Sequence, residues 1–510
     1  MAKFYLTTAI DYVNSRPHLG TAYEKVSADI IARYKRLAGF DTYFLMGNDE
    51  HSLNVLKRAK ELELDPIEYC DRMEAEFREV WKRLDITFDD FIRTTQPRHK
   101  TSVTTLFEKI WDAGDIYEGE YEGWYCVSCE AFKQEKDLEE GNCPLHRVRP
   151  DWIREKNYFF KLSKYQKPLL DHYNAHPGFL EPAIRRNEIL NVIDGGLDDI
   201  SISRANQKWG IPFPFDSEIV VYVWFDALIN YISAVGFGQN EELFNRWWPA
   251  DLHIIGKDIT RFHCIIWPSM LMSAGIPLAK KVFGHGFVYH KGERMSKTLG
   301  TVVDPLDAAD RFGPDPLRLY LVREITYGQD GDFSWERFEG RYNADLANNL
   351  GNLVNRTTSM VKRYRQGTIA PSGAASNRLP ALAEEAVALY RQSMEQLALQ
   401  DGAAAAYRLI DATNEFINEN APWALAKDPT QADRLSTILF DMTEAVRIAA
   451  ILLLPVMPSS CEEILTRVGM STKGADIRLD TDATWGGAGE LTVQPGPAIW
   501  PRIETDKSTR

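Results

Sequence analysis

The chain has 510 residues, of which 44% are hydrophobic and 26% charged, and its formal net charge at pH 7 is −14. This length allows two to four domains with full cores, and the composition is that of a globular protein. The negative charge argues against sequence-independent binding of nucleic acid, and the sequence contains no apolar run that could span a bilayer and no secretory signal, so we expect a cytoplasmic protein without membrane contact.

The first quarter of the chain alternates between strand and helix patterns. Residues 3–8 form an apolar run typical of a buried strand, and apolar residues then recur at helical spacing over 22–37, just before Gly39. A second strand pattern covers residues 42–46, and a second helix pattern covers about 52–63. This β-α-β-α order predicts a doubly wound parallel sheet.

The alternation stops after about residue 114 and resumes after about residue 206. The residues between contain short aromatic stretches, turn residues and a cysteine cluster, as expected for an insertion with a small fold of its own. Strand patterns then cover residues 220–225, 252–255 and 282–288, and a helix pattern covers about 258–273.

The last third of the chain has the composition of a helical domain. Ala- and Leu-rich helical segments extend from about residue 335 to about 468, interrupted by a loop rich in Gly, Ser and Pro near 366–380. The residues from about 471 onward are irregular and rich in Gly and Pro.

A candidate nucleotide-binding motif follows the first predicted strand. His18, Leu19, Gly20 and Thr21 stand where the first helix begins. The N–H groups and the dipole of a helix N-terminus favour anionic phosphate, and a glycine there allows a ligand to approach closely. His18 could donate a hydrogen bond to charge that develops on a transferring phosphoryl group. Taken alone, these four residues fit a surface histidine before a helix at least as well.

A second candidate motif lies past the middle of the chain. The segment Arg294-Met295-Ser296-Lys297-Thr298 stands in a loop between Gly292 and Gly300. Its cations and hydroxyls could close over a triphosphate and stabilise pyrophosphate as a leaving group, although a solvated basic loop would have the same composition. Both motifs follow predicted strands of one sheet, which favours a single nucleotide held at a switch point of that sheet.

The cysteine cluster of the insertion has the spacing of a metal site. Cys126 and Cys129 are separated by two residues, and so are Cys143 and His146. A Cys₃His set is typical of structural zinc, and a histidine as fourth ligand favours zinc over an iron–sulfur cluster. Unrelated cytosolic thiols are the alternative.

Together with their neighbours, these motifs resemble the methionyl-tRNA synthetases, a family of class I aminoacyl-tRNA synthetases, in the form that carries a single zinc knuckle. The resemblance extends from the first strand to the helical region near Trp423. It is carried by Ala9-Ile10-Asp11-Tyr12, Arg16-Pro17-His18-Leu19-Gly20, Gly47-Asn48-Asp49-Glu50-His51, Tyr222-Val223-Trp224-Phe225-Asp226-Ala227, Ile255-Gly256-Lys257-Asp258, Gly284-His285-Gly286-Phe287 and Gly328-Gln329-Asp330-Gly331-Asp332.

The chain departs from the family pattern at four positions. The family's first motif usually ends in His, where this chain has Thr21, and its second usually begins with Lys and ends in Ser, where this chain has Arg294 and Thr298. Many relatives have Pro where Leu228 stands. Thr21 can still donate a hydrogen bond but cannot supply a cation, so we assign more weight to Lys297.

The resemblance implies a role for each of several residues. The catalytic set is His18, Thr21, Arg294 and Lys297. The ATP-binding set is His18, Gly20, Thr21, Lys257, Asp258, Val288, Lys297 and Thr298. The methionine-binding set is Ile10, Tyr12, Asp49, Trp224, Ala227, Leu228, Tyr231 and His285. In this set aromatic walls suit a thioether, and Asp49 matches the carboxylate expected to hold the ammonium group.

Further residues match an activation-site arginine (Arg204), the anticodon-reading positions (Asn352, Arg356 and Trp423) and the zinc ligands (Cys126, Cys129, Cys143 and His146). The spacing of Asn352 and Arg356 places both on one face of a helix, and Trp423 could stack on an unpaired base.

Several of these residues also have a plain structural interpretation. Trp224 could simply be packed in the core, and Asp258 could cap a helix. Arg204 could form a surface salt bridge, and Trp423 could belong to the core of the helical bundle.

The implied activity is that of an ATP-dependent ligase. The carboxylate of methionine attacks the α-phosphate of ATP, and the methionyl group of the adenylate is then transferred to the 3′ end of initiator and elongator tRNA(Met). ATP is then a substrate, Mg²⁺ accompanies it, and one Zn²⁺ is structural. We expect a monomer, because the chain leaves no room for an appended dimerising module.

Two other interpretations stay open from the sequence. One is another class I synthetase, for cysteine or a branched-chain amino acid, although branched-chain enzymes carry a larger insertion and cysteine enzymes hold zinc in the amino-acid site. The other is a non-catalytic RNA-binding or structural protein, which the retained His18, Asp49, Lys257 and Lys297 disfavour. Methionine-dependent exchange of pyrophosphate into ATP distinguishes all three.

The predicted fold class is α/β, with a Rossmann-type doubly wound parallel sheet that is split by a zinc-bearing connective insertion and followed by an all-α anticodon-binding helix bundle. The predicted segments are the two halves of the catalytic domain (1–114 and 207–334, the second with a mobile signature loop), the insertion (115–206), the helical domain (335–470) and the C-terminal tail (471–510).

Overall fold

A computed structural model describes residues 2–127, 131–133, 135, 138–144, 147–205, 207–295, 301–371 and 378–503. Within these residues the strands are β1 (Lys3–Thr8), β2 (Asp11–Tyr12), β3 (Asp41–Asp49), β4 (Asp90–Arg93), β5 (Ile116–Cys126), β6 (Ala131–Lys133), β7 (Asp151–Phe160), β8 (Leu180–Glu181), β9 (Ile200–Ser201), β10 (Ser203–Arg204), β11 (Pro212–Phe213), β12 (Asp216–Val221), β13 (Leu252–Gly256), β14 (Val282–His285), β15 (Val288–His290), β16 (Glu293–Arg294), β17 (Gly331–Phe333), β18 (Thr368–Ile369) and β19 (Leu491–Thr492).

The α-helices of the same residues are α1 (Leu19–Leu37), α2 (Leu53–Glu61), α3 (Pro66–Arg83), α4 (Pro97–Asp112), α5 (Gln166–Ala175), α6 (Ala183–Asp194), α7 (Val223–Ala227), α8 (Asn230–Ser233), α9 (Glu241–Trp247), α10 (Trp267–Ser273), α11 (Pro305–Phe312), α12 (Pro314–Glu324), α13 (Trp335–Arg341), α14 (Gly351–Arg365), α15 (Leu379–Glu395), α16 (Leu399–Asn420), α17 (Pro422–Leu425), α18 (Ala432–Leu453), α19 (Pro458–Arg467) and α20 (Leu479–Asp482). Short 3₁₀ turns cover Leu162–Tyr165, Lys257–Ile259, Pro429–Gln431 and Gly474–Asp476, and π-helical turns cover Phe262–Ile266 and Tyr342–Leu350.

The central sheet is parallel and has the doubly wound order that the sequence predicts. β3 lies beside β1, β1 beside β13, β13 beside β14 and β14 beside β8, while β2 and β4 both pair with β3. Every one of these pairs is parallel. The strand order reverses at β1, since β3 follows on one side and β13 on the other. In such sheets ligands bind beyond the carboxyl ends of the strands at this reversal.

Alternating side chains of β1 connect the sheet to two different cores. Leu6 belongs to the core that includes α1 and extends into the helical bundle, whereas Tyr5 belongs to the core on the opposite face, which includes residues of the insertion. Both side chains are fully buried. The sheet therefore lies between the bundle on its α1 face and the insertion on the other.

The insertion is built around a long antiparallel pair. β5 pairs with β7 from Ile116 opposite Phe160 to Tyr125 opposite Asp151, and β6 and β9 complete this sheet. The segment predicted as the insertion, 115–206, also contains β8, which is the edge strand of the central parallel sheet. A strand of two residues gives no periodicity signal, so the sequence could not reveal it.

Two predicted strands are shorter than expected. The apolar run 220–225 ends as a strand at Val221, and α7 follows from Val223, because a short apolar run fits a buried strand and a buried helix equally well. The run 282–288 divides at Gly286, whose Cβ, if present, would lie 2.2 Å from the backbone of Gln329. Only a glycine allows this close approach of the two backbones. After Gly286 the chain starts β15, which belongs to a separate small sheet.

The helical bundle and the C-terminal residues share one core. α14, α15, α16 and α18 pack together, and β19 pairs with β18 across the bundle. Leu491 and Trp500 are buried in this core, so the described part of the predicted tail, 471–510, is continuous with the bundle. No helix among the described residues is both long enough and apolar enough to cross a membrane.

Candidate active site

The first motif begins helix α1, as the sequence predicts. His18 precedes the first residue of α1, and its Nδ1 accepts hydrogen bonds from the backbone N–H groups of Gly20 (3.0 Å) and Thr21 (3.3 Å). A ring nitrogen that accepts carries no proton, so in the neutral ring the proton lies on Nε2. Nε2–H of His18 is therefore a hydrogen-bond donor.

The expectation that bare N–H groups at this helix end bind the phosphate is wrong for the first three residues. The N–H groups of Gly20 and Thr21 donate to His18, and the N–H of Leu19 donates to the carbonyl of Val303 at 2.9 Å. A Cβ on Gly20 would lie 2.9 Å from Cε1 of His18. Gly20 is thus required by the histidine cap itself.

The flanks of the second motif lie beside the first. Ser296, Lys297 and Thr298 lie outside the described residues, but Arg294 ends β16 and its guanidinium is 4.1 Å from the centre of the Phe287 ring. After the motif the chain returns to Val303, which accepts the hydrogen bond from Leu19. The residues on both sides of 296–300 are therefore held at the edge of the sheet where His18 lies.

Lys257 and Asp258 occupy the same edge, directly after β13. The ammonium of Lys257 lies 4.7 Å from the centre of the Phe287 ring and 2.7 and 2.8 Å from the two carboxylate oxygens of Asp330. Asp258 is exposed, and its Oδ1 lies 2.7 Å from the position of a Cβ on Gly256. Val288 is buried at the start of β15. Phe287 thus lies between the cations of Lys257 and Arg294.

The predicted methionine-binding residues also converge, and aromatic contacts connect them. The rings of Tyr12 and Trp224 meet edge to face at 6.1 Å, and Trp224 stacks on Phe262 at 3.8 Å with an interplanar angle of 6°. Trp224 is half-buried, and Ala227 and Leu228 are buried at the end of α7. Trp224 is therefore a partly exposed member of an aromatic wall that packs against the core, so the contacts fit both the pocket and the packing interpretation.

Tyr231 is fixed by a buried histidine that the sequence did not single out. Its hydroxyl lies 2.7 Å from Nε2 of His263, whose Nδ1 lies 3.1 Å from the carbonyl of Ile259. Since the carbonyl can only accept, Nδ1 donates and Nε2 accepts from Tyr231. Burial lowers the pKa of His263 to about 4, so the ring stays neutral and holds the Tyr231 hydroxyl as a donor.

Asp49 ends β3 next to Tyr12, its register partner in β2. It is buried, and one of its carboxylate oxygens accepts from the backbone N–H of His51 at 3.3 Å. Ile10 is half-buried in the turn between β1 and β2. The arrangement brings a carboxylate to the aromatic wall, as an ammonium-binding role requires.

A buried carboxylate ties this wall to its surroundings. Asp226 of α7 lies 2.7 Å from Nδ1 of His51 and 2.6 Å from Nε2 of His99, and His99 Nδ1 lies 3.1 Å from the hydroxyl of Ser233. Burial alone would raise the pKa of Asp226, but the two imidazoles lower it to about 2. The helix that carries Trp224 is therefore attached through Asp226 to the residues after Asp49.

A charged cluster that was not predicted from the sequence lies beneath the site. Lys25 of α1 contacts Asp11 and Glu24, and Glu24 contacts His285. Charged residues at buried helix positions are rare unless they are paired, and consecutive Glu24 and Lys25 lie within the apolar pattern of α1. Two charged residues within an apolar helix pattern indicate a buried ion pair or cluster. The sequence does not show which residues are their partners.

Arg204 is buried. Its Nη1 donates to the carbonyl of Ser203 at 2.6 Å, and its guanidinium lies 3.9 Å from the centre of the Tyr222 ring. The interpretation as a surface salt bridge is therefore wrong. Tyr222 precedes α7, so Arg204 lies next to the helix that carries Trp224.

The predicted anticodon-reading residues meet on the surface of the bundle. Asn352 and Arg356 lie on α14, and the guanidinium of Arg356 is 6.0 Å from the centre of the Trp423 ring. Arg356 also donates to Oδ1 of Asn418 at 3.0 Å. Trp423 is 44% exposed, so it does not belong to the bundle core and its ring is accessible for stacking.

Two of the four predicted zinc ligands are described. Cys126, at the end of β5, and Cys143 are both fully buried, while Cys129 and His146 lie outside the described residues. The carbonyl of Cys143 accepts a hydrogen bond from the N–H of Arg147 at 2.7 Å. The described residues contain no group of three or more metal ligands, so the zinc site stays a prediction from the sequence.

Comparison with protein families gives two matches along the chain. Residues 4–149 and 133–358 match the family described as tRNA synthetases class I (M). Residues 368–486 match the family described as anticodon binding domain of methionyl tRNA ligase.

Individual relatives are similar over nearly the whole chain. The methionine–tRNA ligase of Thermotoga maritima is 46% identical over 98% of the chain and 79% of its own length, and that of Nostoc is 44% identical over 99% and 98%. A Mycobacterium tuberculosis methionyl-tRNA synthetase structure in complex with methionyl-adenylate matches with a TM-score of 0.94 at 40% identity, covering 98% of this chain and all of that one. The apo form of that enzyme matches with a TM-score of 0.85 at 38% identity, covering 99% of each chain.

Proposed function

The chain belongs to the methionyl-tRNA synthetases, a family of class I tRNA synthetases, and we propose that the edge of its parallel sheet forms and holds methionyl-adenylate. The protein is a methionine–tRNA ligase: it activates L-methionine with ATP and transfers the methionyl group to tRNA, releasing AMP and diphosphate. The proposal concerns which residues do this.

One observation carries the proposal. Asp49 and His285 end β3 and β14, Lys257 follows β13, and His18 caps the helix that comes after β1 and β2. These strands are neighbours in one parallel sheet, so the four residues lie in segments at its carboxyl edge. A nucleotide placed at the strand-order reversal therefore has the imidazole of His18 on one side and Lys257 on the other.

The chemistry needs positioning and charge stabilisation, and no covalent nucleophile from the protein. The carboxylate oxygen of methionine attacks the α-phosphorus of ATP, and the bond from this phosphorus to the pyrophosphate oxygen breaks. Nε2–H of His18 donates to the phosphate, while Lys257, Arg294 and Lys297 stabilise the pyrophosphate that leaves. Thr21 and Thr298 add hydroxyl donors, Gly20, Asp258 and Val288 line the nucleoside site, and Mg²⁺ enters with ATP as its counter-ion.

The methionine side chain lies against the aromatic wall in this proposal. Tyr12, Trp224, Tyr231 and His285 enclose the thioether with Ile10, Ala227 and Leu228, and Asp49 binds the ammonium. Arg204, beside the helix of Trp224, supports the activation site. A ribose hydroxyl at the 3′ end of the tRNA then attacks the carbonyl carbon of the adenylate, and AMP leaves.

Exchange of labelled pyrophosphate into ATP tests the proposal. The full chain should catalyse the exchange with methionine and not with cysteine, leucine, isoleucine or valine. An exchange that depends on one of the other amino acids, or the lack of any exchange, contradicts the proposed site.

Lys297→Ala tests the role of the second motif. The variant should slow adenylate formation by a few kcal/mol of barrier, roughly 10²–10³-fold, and leave methionine binding nearly unchanged. Single-turnover formation of the adenylate gives the first quantity and equilibrium binding of methionine the second. A large loss of methionine binding would contradict the assigned role.

The tRNA-reading proposal rests on the exposed surface of the bundle. Trp423 stacks on an unpaired anticodon base, while Arg356 and Asn352 contact its edges or the backbone. Arg356 is already held by Asn418, so part of the reading surface is ordered before the RNA binds.

Zinc is proposed as a structural ion of the insertion. Cys126, Cys129, Cys143 and His146 would hold it, and it would stabilise the turns that carry these ligands without entering the reaction. Metal analysis of the purified chain should find about one zinc per chain; active protein without zinc would remove the proposal. A cytoplasmic location and a monomeric state stay predictions from the sequence.

A further inference from the structure

The ammonium of Lys25 lies beneath the proposed methionine site and is fully buried. Its Nζ donates to the carbonyl of Ala9 (2.9 Å), to Oδ1 of Asp11 (3.0 Å) and to Oε1 of Glu24 (2.6 Å). An ammonium group has three hydrogens, so these three acceptors satisfy it completely. A buried cation is unfavourable unless it is paired in this way.

The charge of Lys25 is retained in spite of its burial. Burial lowers the pKa of a lysine, but the carboxylates of Asp11 and Glu24 outweigh this effect and raise the pKa of Lys25. Glu24 is also ionised: burial would raise its pKa, but Lys25 and His285 lower it to about 2. Burial raises the pKa of Asp11 to about 6 in spite of the neighbouring Lys25, so Lys25 and Glu24 are the two members of the cluster whose charge is favoured by their partners.

Lys25 contacts the residues on both sides of Ile10, in the turn that forms one wall of the proposed methionine site. Ala9 and Asp11 flank Ile10, and Asp11 precedes Tyr12, whose register partner across β2 and β3 is Asp49. The turn that carries Ile10 and Tyr12 is thus attached to α1 by the lysine on one side and to β3 by strand pairing on the other.

Glu24 attaches the opposite wall to the same helix. Its second carboxylate oxygen lies 2.8 Å from Nε2 of His285, and Nδ1 of His285 lies 2.7 Å from the carbonyl of Gly286. Both partners of the ring are hydrogen-bond acceptors, so the ring can donate to either of them. His285 also meets the ring of Tyr23, another residue of α1, edge to face at 5.7 Å.

We propose that Lys25 and Glu24 are positioning residues that set the distance between the two walls of the methionine site, the Ile10–Tyr12 turn and His285. This inference rests on the proposed function, because it takes these walls as the methionine site. Both residues lie in the helix that His18 begins, so the nucleotide and the amino acid are aligned by one rigid element. A misplacement of a substrate by about 1 Å is enough to cost on the order of a hundredfold in rate.

The test is pyrophosphate exchange by the full chain, measured as separate KM values for methionine and ATP. Lys25→Met removes the cation at similar length, and we expect the KM for methionine to rise about tenfold or more while the KM for ATP stays within about twofold. Glu24→Gln, which loses the charge but keeps the shape, should raise the KM for methionine by a smaller factor.

A second lysine of α1 provides the matched control. Lys35 is also buried, but its ammonium pairs with Glu395 of the bundle at 2.7 Å, far along the helix from the site. Lys35→Met should leave both KM values unchanged. A merely structural role of Lys25 would instead lower stability and activity without separating the two substrates.

Lys25→Met leaves two carboxylates without their cation and could impair folding. The double variant Lys25→Met/Asp11→Asn removes one of these charges, and Asp11→Asn alone keeps the contacts of Lys25 with Ala9 and Glu24. Circular dichroism and the thermal midpoint identify which variants fold. The KM values for methionine and ATP of the folded variants among Glu24→Gln, Asp11→Asn and the double variant then test the positioning role.

The outcomes separate this inference from the proposed function. A selective rise in the KM for methionine supports the positioning role. Unchanged KM values, or equal changes for methionine and ATP, overturn it while wild-type exchange with methionine still supports the function. Wild-type exchange that depends on another amino acid overturns both.

Discussion

The proposed adenylate site and the proposed anticodon-reading surface are built in opposite ways. Around the adenylate site, Asp49, Tyr231 and His285 are nearly inaccessible to solvent and are held by buried partners. On the bundle, Trp423 is 44% exposed and its described neighbour Arg356 touches it only as a cation over a ring. A small flexible substrate is positioned by buried side chains that enclose it. An RNA loop has large base surfaces, so an exposed ring is enough to bind it by stacking.

This difference implies that substitutions in the two regions should affect different activities. Changes at the sheet edge should affect adenylate formation with or without tRNA, and several should also lower stability. Changes at the exposed bundle surface should affect only steps that include tRNA.

The largest expected effect is at His18. His18→Asn keeps a side-chain acceptor at the helix N-cap but loses the Nε2–H donor, so adenylate formation should fall roughly 10²–10³-fold with little change in stability. Single-turnover kinetics and thermal unfolding measure the two quantities.

His18→Ala serves as the matched variant, since it loses both the cap and the donor. The rate of adenylate formation should fall as far as in His18→Asn, and the free energy of unfolding should in addition decrease by about 1 kcal/mol. Equal activity of His18→Asn and wild type would remove the phosphate-donor role.

Trp423→Ala should have the largest effect on the bundle. Loss of one stacked base costs about 1–3 kcal/mol, so tRNA charging should fall roughly 5–150-fold while pyrophosphate exchange without tRNA stays at the wild-type rate. Trp111 is 40% exposed on α4, and Trp111→Ala is the control. Equal loss of both activities in Trp423→Ala would mean that the ring supports the fold.

Acid should destabilise the wall that carries Trp224. The pKa of Asp226 is about 2 in the folded protein against an ordinary value of 3.8, so its contribution is fully present above about pH 4 and is lost as the pH falls from 4 toward 2. The shift corresponds to about 2 kcal/mol at neutral pH.

Thermal unfolding of wild type and Asp226→Asn between pH 7 and pH 3 checks this contribution. The two proteins should differ at pH 7 and converge as the pH falls. A constant difference across this range would show that the ionised carboxylate is not the source of the stability.

The smallest expected effect is at Arg356. Arg356→Lys keeps the positive charge but loses the planar group that donates to Asn418 and lies over Trp423, so charging at limiting tRNA should fall by a few-fold, equivalent to about 0.5–1 kcal/mol. Initial charging rates at low and saturating tRNA distinguish weaker binding from slower transfer. An unchanged rate at low tRNA would place Arg356 outside the contact surface.

Local signals in the sequence predicted the parts of the site that are local in structure. His18 caps α1, Arg356 shares a helix face with Asn352, and Trp423 follows Pro422 at the start of α17, all within a few residues. The parallel sheet also followed from the order of strand and helix patterns.

Contacts between distant segments could not be predicted in this way. His285 meets Glu24 across 261 residues, and Asp226 meets His51 across 175. The helix at Trp224 was predicted as a strand, because a short apolar run fits a buried strand and a buried helix equally well. The family resemblance predicted which residues line the site, but not what holds them in place.

A crystal structure of the chain with a non-hydrolysable analogue of methionyl-adenylate tests the central idea most directly. We expect the phosphate of the analogue within hydrogen-bond distance of His18 Nε2, its ribose near Asp258, and its thioether between Tyr12, Trp224 and His285. An analogue bound elsewhere, or with its thioether outside these aromatic side chains, would contradict the assignment of the sheet edge as the site where methionine and ATP meet.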